Sequence, residues 1–445
     1  MSKQATKLTI FSITWPIFFE ILLLMFLGNI DIFMLSQYSD DSVASIGVSN
    51  QLLQFSLVMF GFVSAGAAVI ISQYIGAKKE QDAKSVSVVA IISSVVFGLA
   101  VSLIFVLFRI PFLNFMGVQS HLISEASFYL MIVGGFVFIQ AILTTIGAIL
   151  RSYGYTKDML YVTLVMNIFN ALGNAVVIFG LFGIPVLGVT GVAVVTAISK
   201  LIGLILAFIM LMRHVPGITK AVSRKNFPIH YIKSILKIGL PAAGENLSYQ
   251  GYQLVVVMIL TSLGTTVLTT HIYSRSMNMF IILFTISIAQ GGAIIIGQLT
   301  GAKEYDEIYK RCLKYLKYSI LISGIGAVVF FLLHPYIIGL FTDNPDAIPL
   351  ARQIFLIGII LEPGRAYNIV IINALRATGD VKFPVYAAII FMWGVGAFLS
   401  WLLGIIFGWG LLGVLIAMAL DEWIRGLLML WRWKTKIWTT KGVIE

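Results

Sequence analysis

The sequence predicts an all-α integral membrane protein with twelve transmembrane helices in two pseudo-symmetric six-helix lobes. Three observations lead there: twelve apolar stretches of spanning length, a composition of 59% hydrophobic and 11% charged residues, and a polar pattern that recurs at an offset of 225 residues. Soluble domains carry about 25% charged residues. A chain of 445 residues with so few lacks the charge to cover a water-facing surface.

A bilayer core of ~30 Å is crossed by about 20 helical residues. In the first half the stretches that meet this length run over 8–35, 46–74, 85–108, 126–150, 159–182 and 187–212. In the second half they run over 234–262, 268–297, 315–337, 348–374, 383–407 and 409–431. The one long connection, 213–233, holds Pro216, Gly217 and Pro228 among basic residues. It divides the chain into an N-lobe (1–212), a cytoplasmic linker (213–233) and a C-lobe (234–445). Outside the spans no segment is large enough to bury a soluble core, so no soluble catalytic domain is expected. Lys3 and Lys7 before an apolar run resemble a signal peptide. That run is too long for an h-region and contains acids, so cleavage is not expected.

Lysine and arginine set the orientation. Twenty-four of the 30 lie in the termini, the alternate loops and their flanks on one side. The opposite loops hold Arg109 together with Asp40, Asp41, Asp343 and Asp346. Both termini are therefore expected in the cytoplasm, with the protein multi-pass in the plasma membrane. The net charge of +11 follows from this topology and from attraction to anionic membrane lipid, not from nucleic-acid binding. Cys312 is the single cysteine, and the five histidines form no HExxH-type set, so a cysteine- or histidine-based metal centre is not expected. No Ser/Lys pair, His cluster or Walker-type loop marks an enzyme.

The two halves repeat. Gly66-x-Ala68-x-Ile70-Ile71-x-Gln73-x-x-Gly76-Ala77-Lys78 recurs as Gly291-x-Ala293-x-Ile295-Ile296-x-Gln298-x-x-Gly301-Ala302-Lys303. The same offset carries Pro16 to Pro241, Glu20 to Glu245, and Leu150-Arg151-x-x-Gly154-x-x-Lys157 to Leu375-Arg376-x-x-Gly379-x-x-Lys382. Each repeat has an even number of spans, so the repeats are parallel. Two such bundles around a cleft are the architecture of a secondary transporter.

The first stretch carries two acids, Glu20 and Asp31, eleven residues apart. At 100° per residue they return to nearly one face, ~16 Å apart along the axis. A charge at bilayer depth costs at least ~2.5–3.5 kcal/mol, so two on one stripe call for a polar interior or a proton. Asn167, Asn170 and Asn174 share a face of the fifth span, where amides either bind a cation or tie helices together. Glu245 follows Pro241 and begins a stripe with Tyr249 and Tyr252, suited to an organic cation through charge and cation–π attraction or to aromatic packing. Glu362 precedes Pro363 with Arg365 three residues on, a second proton or substrate site. Asp421 and Glu422 lie in the last span, and Arg425, one turn from Asp421, neutralises it within the helix. Arg275, Met277, Asn278 and Met279 in the outer part of the eighth span either touch substrate or cap the helix. The sixteen methionines are spread too widely to mark a site.

In these spans, repeats and turns the chain resembles the multidrug and toxic compound extrusion (MATE) family of cation-coupled efflux transporters. The resemblance implies exchange of H⁺ or Na⁺ for amphipathic, often cationic, organic compounds by alternating access. No cofactor is expected, and a two-lobed bundle can function as a monomer. It implies a cation site at Asp31, Asn170, Asn174 and Thr196. Glu20, one turn after Pro16 near the bilayer middle, reads from its own position either as a further coupling acid or as a hydrogen bond to backbone opened by the proline. Many relatives have an acid where Asn174 stands; its absence weakens Na⁺ binding and favours H⁺. Glu245 matches a second-lobe acid of the NorM-like branch. The alternative is a flippase for lipid or lipid-linked saccharide of the same superfamily, which needs a cationic cleft from Lys200, Arg275, Arg365 and Arg425. A channel would need a continuous polar pore.

Overall fold

A lipid environment leaves backbone N–H and C=O groups no water to bond, so a spanning chain must satisfy them within helices or a closed barrel. The computed structural model describes residues 9–183, 185–222 and 228–444, with the backbone alone for 27–29 and 40. It is helical throughout, with no strand among the described residues. Lys3, Lys7, Arg224 and Lys225 lie outside them.

The first six spans are α1 (Ile10–Ser36), α2 (Asp40–Gly76), α3 (Glu80–Phe115), the pair α4 (Ile123–Tyr129) and α5 (Val137–Ser152), α6 (Thr156–Phe179) and α7 (Gly188–His214). The next six are α8 (Ile229–Ser262), α9 (Thr265–Gly301), α10 (Tyr305–Gly339), α11 (Ala347–Thr378), the pair α12 (Lys382–Phe391) and α13 (Phe398–Trp401), and α14 (Gly410–Lys434). Every predicted stretch is thus occupied by helix. Among the described residues nine helices are long and apolar enough to cross a membrane, or ten with the bent α4–α5 pair as one. The other two, α8 and α14, have the length, 34 and 25 residues. The first is made too polar by Glu245, Asn246, Gln250 and Gln253, and the second carries three charges, Asp421, Glu422 and Arg425, within one span length. Large apolar side chains such as Leu103, Leu254 and Ile390 stand exposed on the helices, as lipid-facing positions do.

The duplicated motifs form duplicated turns. Lys78 and Lys303 both adopt the left-handed conformation at φ 60°. The next amide closes each helix end, Lys79 N–H donating to the Tyr74 carbonyl at 2.9 Å and Glu304 N–H to that of Leu299 at 3.0 Å. Gly154 (φ 91°) and Gly379 (φ 95°) end the fourth and tenth spans alike. There Tyr155 N–H donates to Leu150 O and Asp380 N–H to Leu375 O, both at 2.9 Å. The α4–α5 pair bends by 40° through a π-helical turn at Leu130–Gly134. The hydroxyl of Ser102 on α3 accepts the Phe138 N–H there at 3.1 Å, bonding an amide just past the bend.

The chain packs as two compact units. One comprises the described residues of Met1–Phe18 with Gly76–Lys78 and Leu240–Glu445; the other comprises Phe19–Ile75 and Lys79–Gly239. The core of the second is built on Leu35, Phe60, Tyr129 and Val192, and one core cluster of the first on Tyr252, Val256, Leu361 and Val414.

Gly379 needs both its φ and its lack of a side chain, because a Cβ would run into the Lys441 carbonyl. Gly379→Ala is expected to destabilise by at least ~1–2 kcal/mol, the ordinary cost of a left-handed L-residue. The measurement is thermal unfolding in detergent. An unchanged midpoint would show that the turn relaxes without cost.

Candidate functional site

Four predicted residues meet in a single hydrogen-bonded chain inside the second unit. Asp31 on α1 is 4% exposed, and Asn170 and Asn174 on α6 are fully buried. The Asn174 amide donates to Asp31 Oδ1 at 2.6 Å and to Asn170 Oδ1 at 3.2 Å. The Asn170 amide in turn donates to the Thr196 hydroxyl on α7 at 3.2 Å. One helical turn separates the two asparagines, so a single face of α6 reaches both α1 and α7. Among the described residues Asn174 Oδ1 is a buried acceptor with no partner. Asn167, the third member of the stripe, bonds back to the Thr163 carbonyl of its own helix at 2.9 Å. Lys200, one turn beyond Thr196 on α7, interacts electrostatically with Asp31.

Glu20 pairs elsewhere. Arg151, at the end of α5, donates to Glu20 Oε1 at 2.7 Å. In the other unit Arg376, at the end of α11, donates to Glu245 Oε2. Both pairs span 131 residues of sequence, and each residue of one maps onto its counterpart by the repeat offset. The sequence signal was present: an acid and an arginine are each duplicated at 225.

Glu245 borders a cavity of about 410 Å³ enclosed by α8, α9, α11 and α14 of the first unit. Tyr249 lines it too. Tyr252 is 2% exposed and packs in the apolar core against Gly396, its hydroxyl without a partner. Glu362 lines the cavity and takes Arg365 through both oxygens, at 2.7 and 2.9 Å. Arg425 binds Asp421 at 2.6 and 3.0 Å, the expected intrahelical pair, and reaches Glu422 at 3.2 Å. Glu422 also accepts from the Asn368 amide at 2.9 Å and faces Arg365 at 3.6 Å. Sequence reading missed Arg376, Asn368 and His271 as cavity residues, since each acquires its place from helices distant in sequence. Chemically, one unit offers an acid solvated by amides, and the other a polar cavity whose acids already hold arginines.

A buried ion pair in little water is destabilising to break on one side, because the remaining charge is stranded. Glu245→Gln and Arg376→Gln are each expected to lower stability more than the double substitution implies. The expected coupling is at least ~1 kcal/mol in a double-mutant cycle on detergent-solubilised protein. Additive losses would mean that the two side chains do not support each other.

The MatE family model matches residues 16–176 and again 241–402, two matches whose starts lie one repeat offset apart. The uncharacterized transporter YisQ of Bacillus subtilis is 46% identical over 446 residues, covering 100% of this chain and 98% of that one. The probable multidrug resistance protein NorM of Thermotoga maritima is 25% identical over 443 residues, covering 99% and 94%. Among solved structures, MATE in the bent conformation superposes with a TM-score of 0.88 at 16% identity, covering 96% of this chain and 94% of that one. The Vibrio cholerae MATE transporter VcmN superposes at 0.86 with 18% identity, covering 98% and 97%. The chain therefore belongs to the MatE family, and it is a multi-pass membrane transporter, not an enzyme.

Proposed function

We propose that the protein is a proton-coupled antiporter that exports amphipathic organic compounds by alternating access of an N-lobe (1–212) and a C-lobe (234–445). It acts as a monomer in the plasma membrane with both termini in the cytoplasm. The observation that carries this reading is the buried chain Asp31–Asn174–Asn170–Thr196. A carboxylate there is costly in one conformation and relieved by a proton in another, which biases the exchange between states. The membrane potential adds ~2.3 kcal/mol per charge per 100 mV. Names of relatives such as the probable multidrug resistance protein NorM support the export of small organic compounds.

Sodium is the competing ion. One carboxylate, two amides and a hydroxyl are hard oxygen donors, and the unpartnered Asn174 Oδ1 would suit a cation. Against it stands the missing second carboxylate: Asn174 is an amide, so one acid alone would balance the ion's charge. The flippase alternative gains from one observation, that Arg275, Arg365, Arg376 and Arg425 all line the C-lobe cavity. Three of these are already held by carboxylates, so they do not form a bare cationic groove.

Two measurements test this. Asp31→Asn is expected to abolish substrate-driven proton movement in proteoliposomes; undiminished exchange would exclude the coupling role. In vesicles loaded with a fluorescent amphipathic dye, an imposed pH gradient is expected to drive efflux and an imposed Na⁺ gradient is not. Asn174→Asp, which supplies a second carboxylate, is expected to introduce a response to Na⁺. A wild-type protein driven by Na⁺ alone would reverse the assignment of the ion.

A further inference from the structure

Within the C-lobe cavity one charge stands apart. Arg365, Arg376 and Arg425 each hold a carboxylate, but Arg275 on α9 has no hydrogen-bond or ion-pair partner among the described residues and is exposed where it lines the cavity. Asn278 and His271 line the same cavity from the same helix. Positions 271, 275 and 278 are spaced i, i+4 and i+7, one face of α9. His271 is 7% exposed, and its Nδ1 is buried without a partner among the described residues. A guanidinium, an amide and an imidazole thus converge on one wall. Ile282, Ile286 and Met279, farther along that helix, make the cavity wall apolar.

A structural role does not account for Arg275. The repeat offset maps it onto Asn50 of α2, whose side-chain oxygen accepts the Tyr129 hydroxyl at 3.2 Å. The counterpart of Tyr129 in the second half is Ile354, which has no hydroxyl to offer. Arg275 therefore occupies the place of an interhelical hydrogen bond without making one. An exposed guanidinium without a protein partner is available to an oxyanion that enters the cavity.

We propose that Arg275, with Asn278 and His271 beside it, anchors an acidic group, carboxylate or phosphate, on amphipathic compounds carried by this cavity. The inference rests on the export reading above and narrows its substrates, from amphipathic compounds in general to those bearing an acid. A guanidinium suits such a group because its fork of N–H donors matches two oxygens of a planar carboxylate or a phosphate.

The test uses full-length protein in detergent and two dyes that differ only in this group, rhodamine B with its free carboxylate and its ethyl ester. Arg275→Gln is expected to weaken rhodamine B about tenfold or more, the usual worth of a charge-assisted hydrogen bond, and to leave the ester within about twofold. Arg275→Lys should restore part of the loss, with the unfolding midpoint of both variants unchanged. An equal loss for acid and ester, or no loss for either, overturns the proposal. Displacement of rhodamine B by oleoyl lysophosphatidic acid would identify a lipid headgroup as the source of the acid; its failure would leave free organic acids. The same dyes in proteoliposomes separate the two readings. If binding discriminates but neither dye moves, the export reading fails and the anchoring site stands. If both move with no dependence on Arg275, the anchoring site fails and the export reading stands.

Discussion

A charge held inside a bilayer must find its counterpart within the bundle, and most of the polar architecture follows from that requirement. Glu20 has Arg151, Glu245 has Arg376, Glu362 has Arg365, and Asp421 has Arg425. Two of these pairs join the end of a later helix to an acid near the proline of the first helix of the same half. That arrangement explains why the turn after the fourth and tenth spans is duplicated along with the acid. The left-handed glycine ends the helix three residues after the arginine, and the arginine reaches back from that fixed end. The motif that reads as a turn in sequence also fixes the end from which an ion pair is made.

Asp31 departs from the pattern. Its near neighbours are neutral: the Asn174 amide touches it, and the Asn170 and Thr196 side chains, bonded to each other, lie beside it as well. Its countercharge, Lys200, acts through the field without closing into a contact pair. Amides stabilise a carboxylate less completely than a bidentate arginine does, because each supplies a partial charge only. A group held this way can be neutralised by a small cation without first breaking a strong salt bridge. Glu20, by contrast, would have to leave Arg151 to serve the same purpose.

The fold was legible because it is written in local chemistry. Span length and the 225-residue offset each depend on residues close in sequence or on simple counting. The Asp31 cluster was legible through the family resemblance, and the asparagine periodicity on α6 placed two of its members. Periodicity could not tell Asn170 and Asn174 from Asn167, which shares their stripe but bonds to its own helix. It likewise could not separate Tyr249, on the cavity, from Tyr252, in the core. Three residues of a helix rotate by 300°, and a difference of 60° is enough to turn a side chain from a cavity into packing. For Glu20–Arg151 and Glu245–Arg376 the repeat marked all four residues but not their pairing, because partners 131 residues apart meet only once the tertiary fold exists.

The repeat also shows how the two halves came to differ. Leu187-Gly188-Val189 maps onto Leu412-Gly413-Val414, so the offset still holds in the last span of each half. There Thr196 and Lys200 correspond to Asp421 and Arg425, while Asp31 corresponds to Val256, which is fully buried. Both halves therefore keep an acid associated with a base at the same helical position. In one the acid sits on α1, among two amides of α6 and the Thr196 hydroxyl of α7; in the other it lies on the same helix as the base, one turn away and in direct contact at 2.6 Å. An i, i+4 pair on a rigid helix keeps its geometry whatever the neighbouring helices do, whereas a pair divided between α1 and α7 changes whenever those helices shift. Only the divided arrangement can convert a helix movement into a change in the cost of an ionised acid. Placing that arrangement in one half alone leaves the cavity of the other half free to be shaped by what it holds.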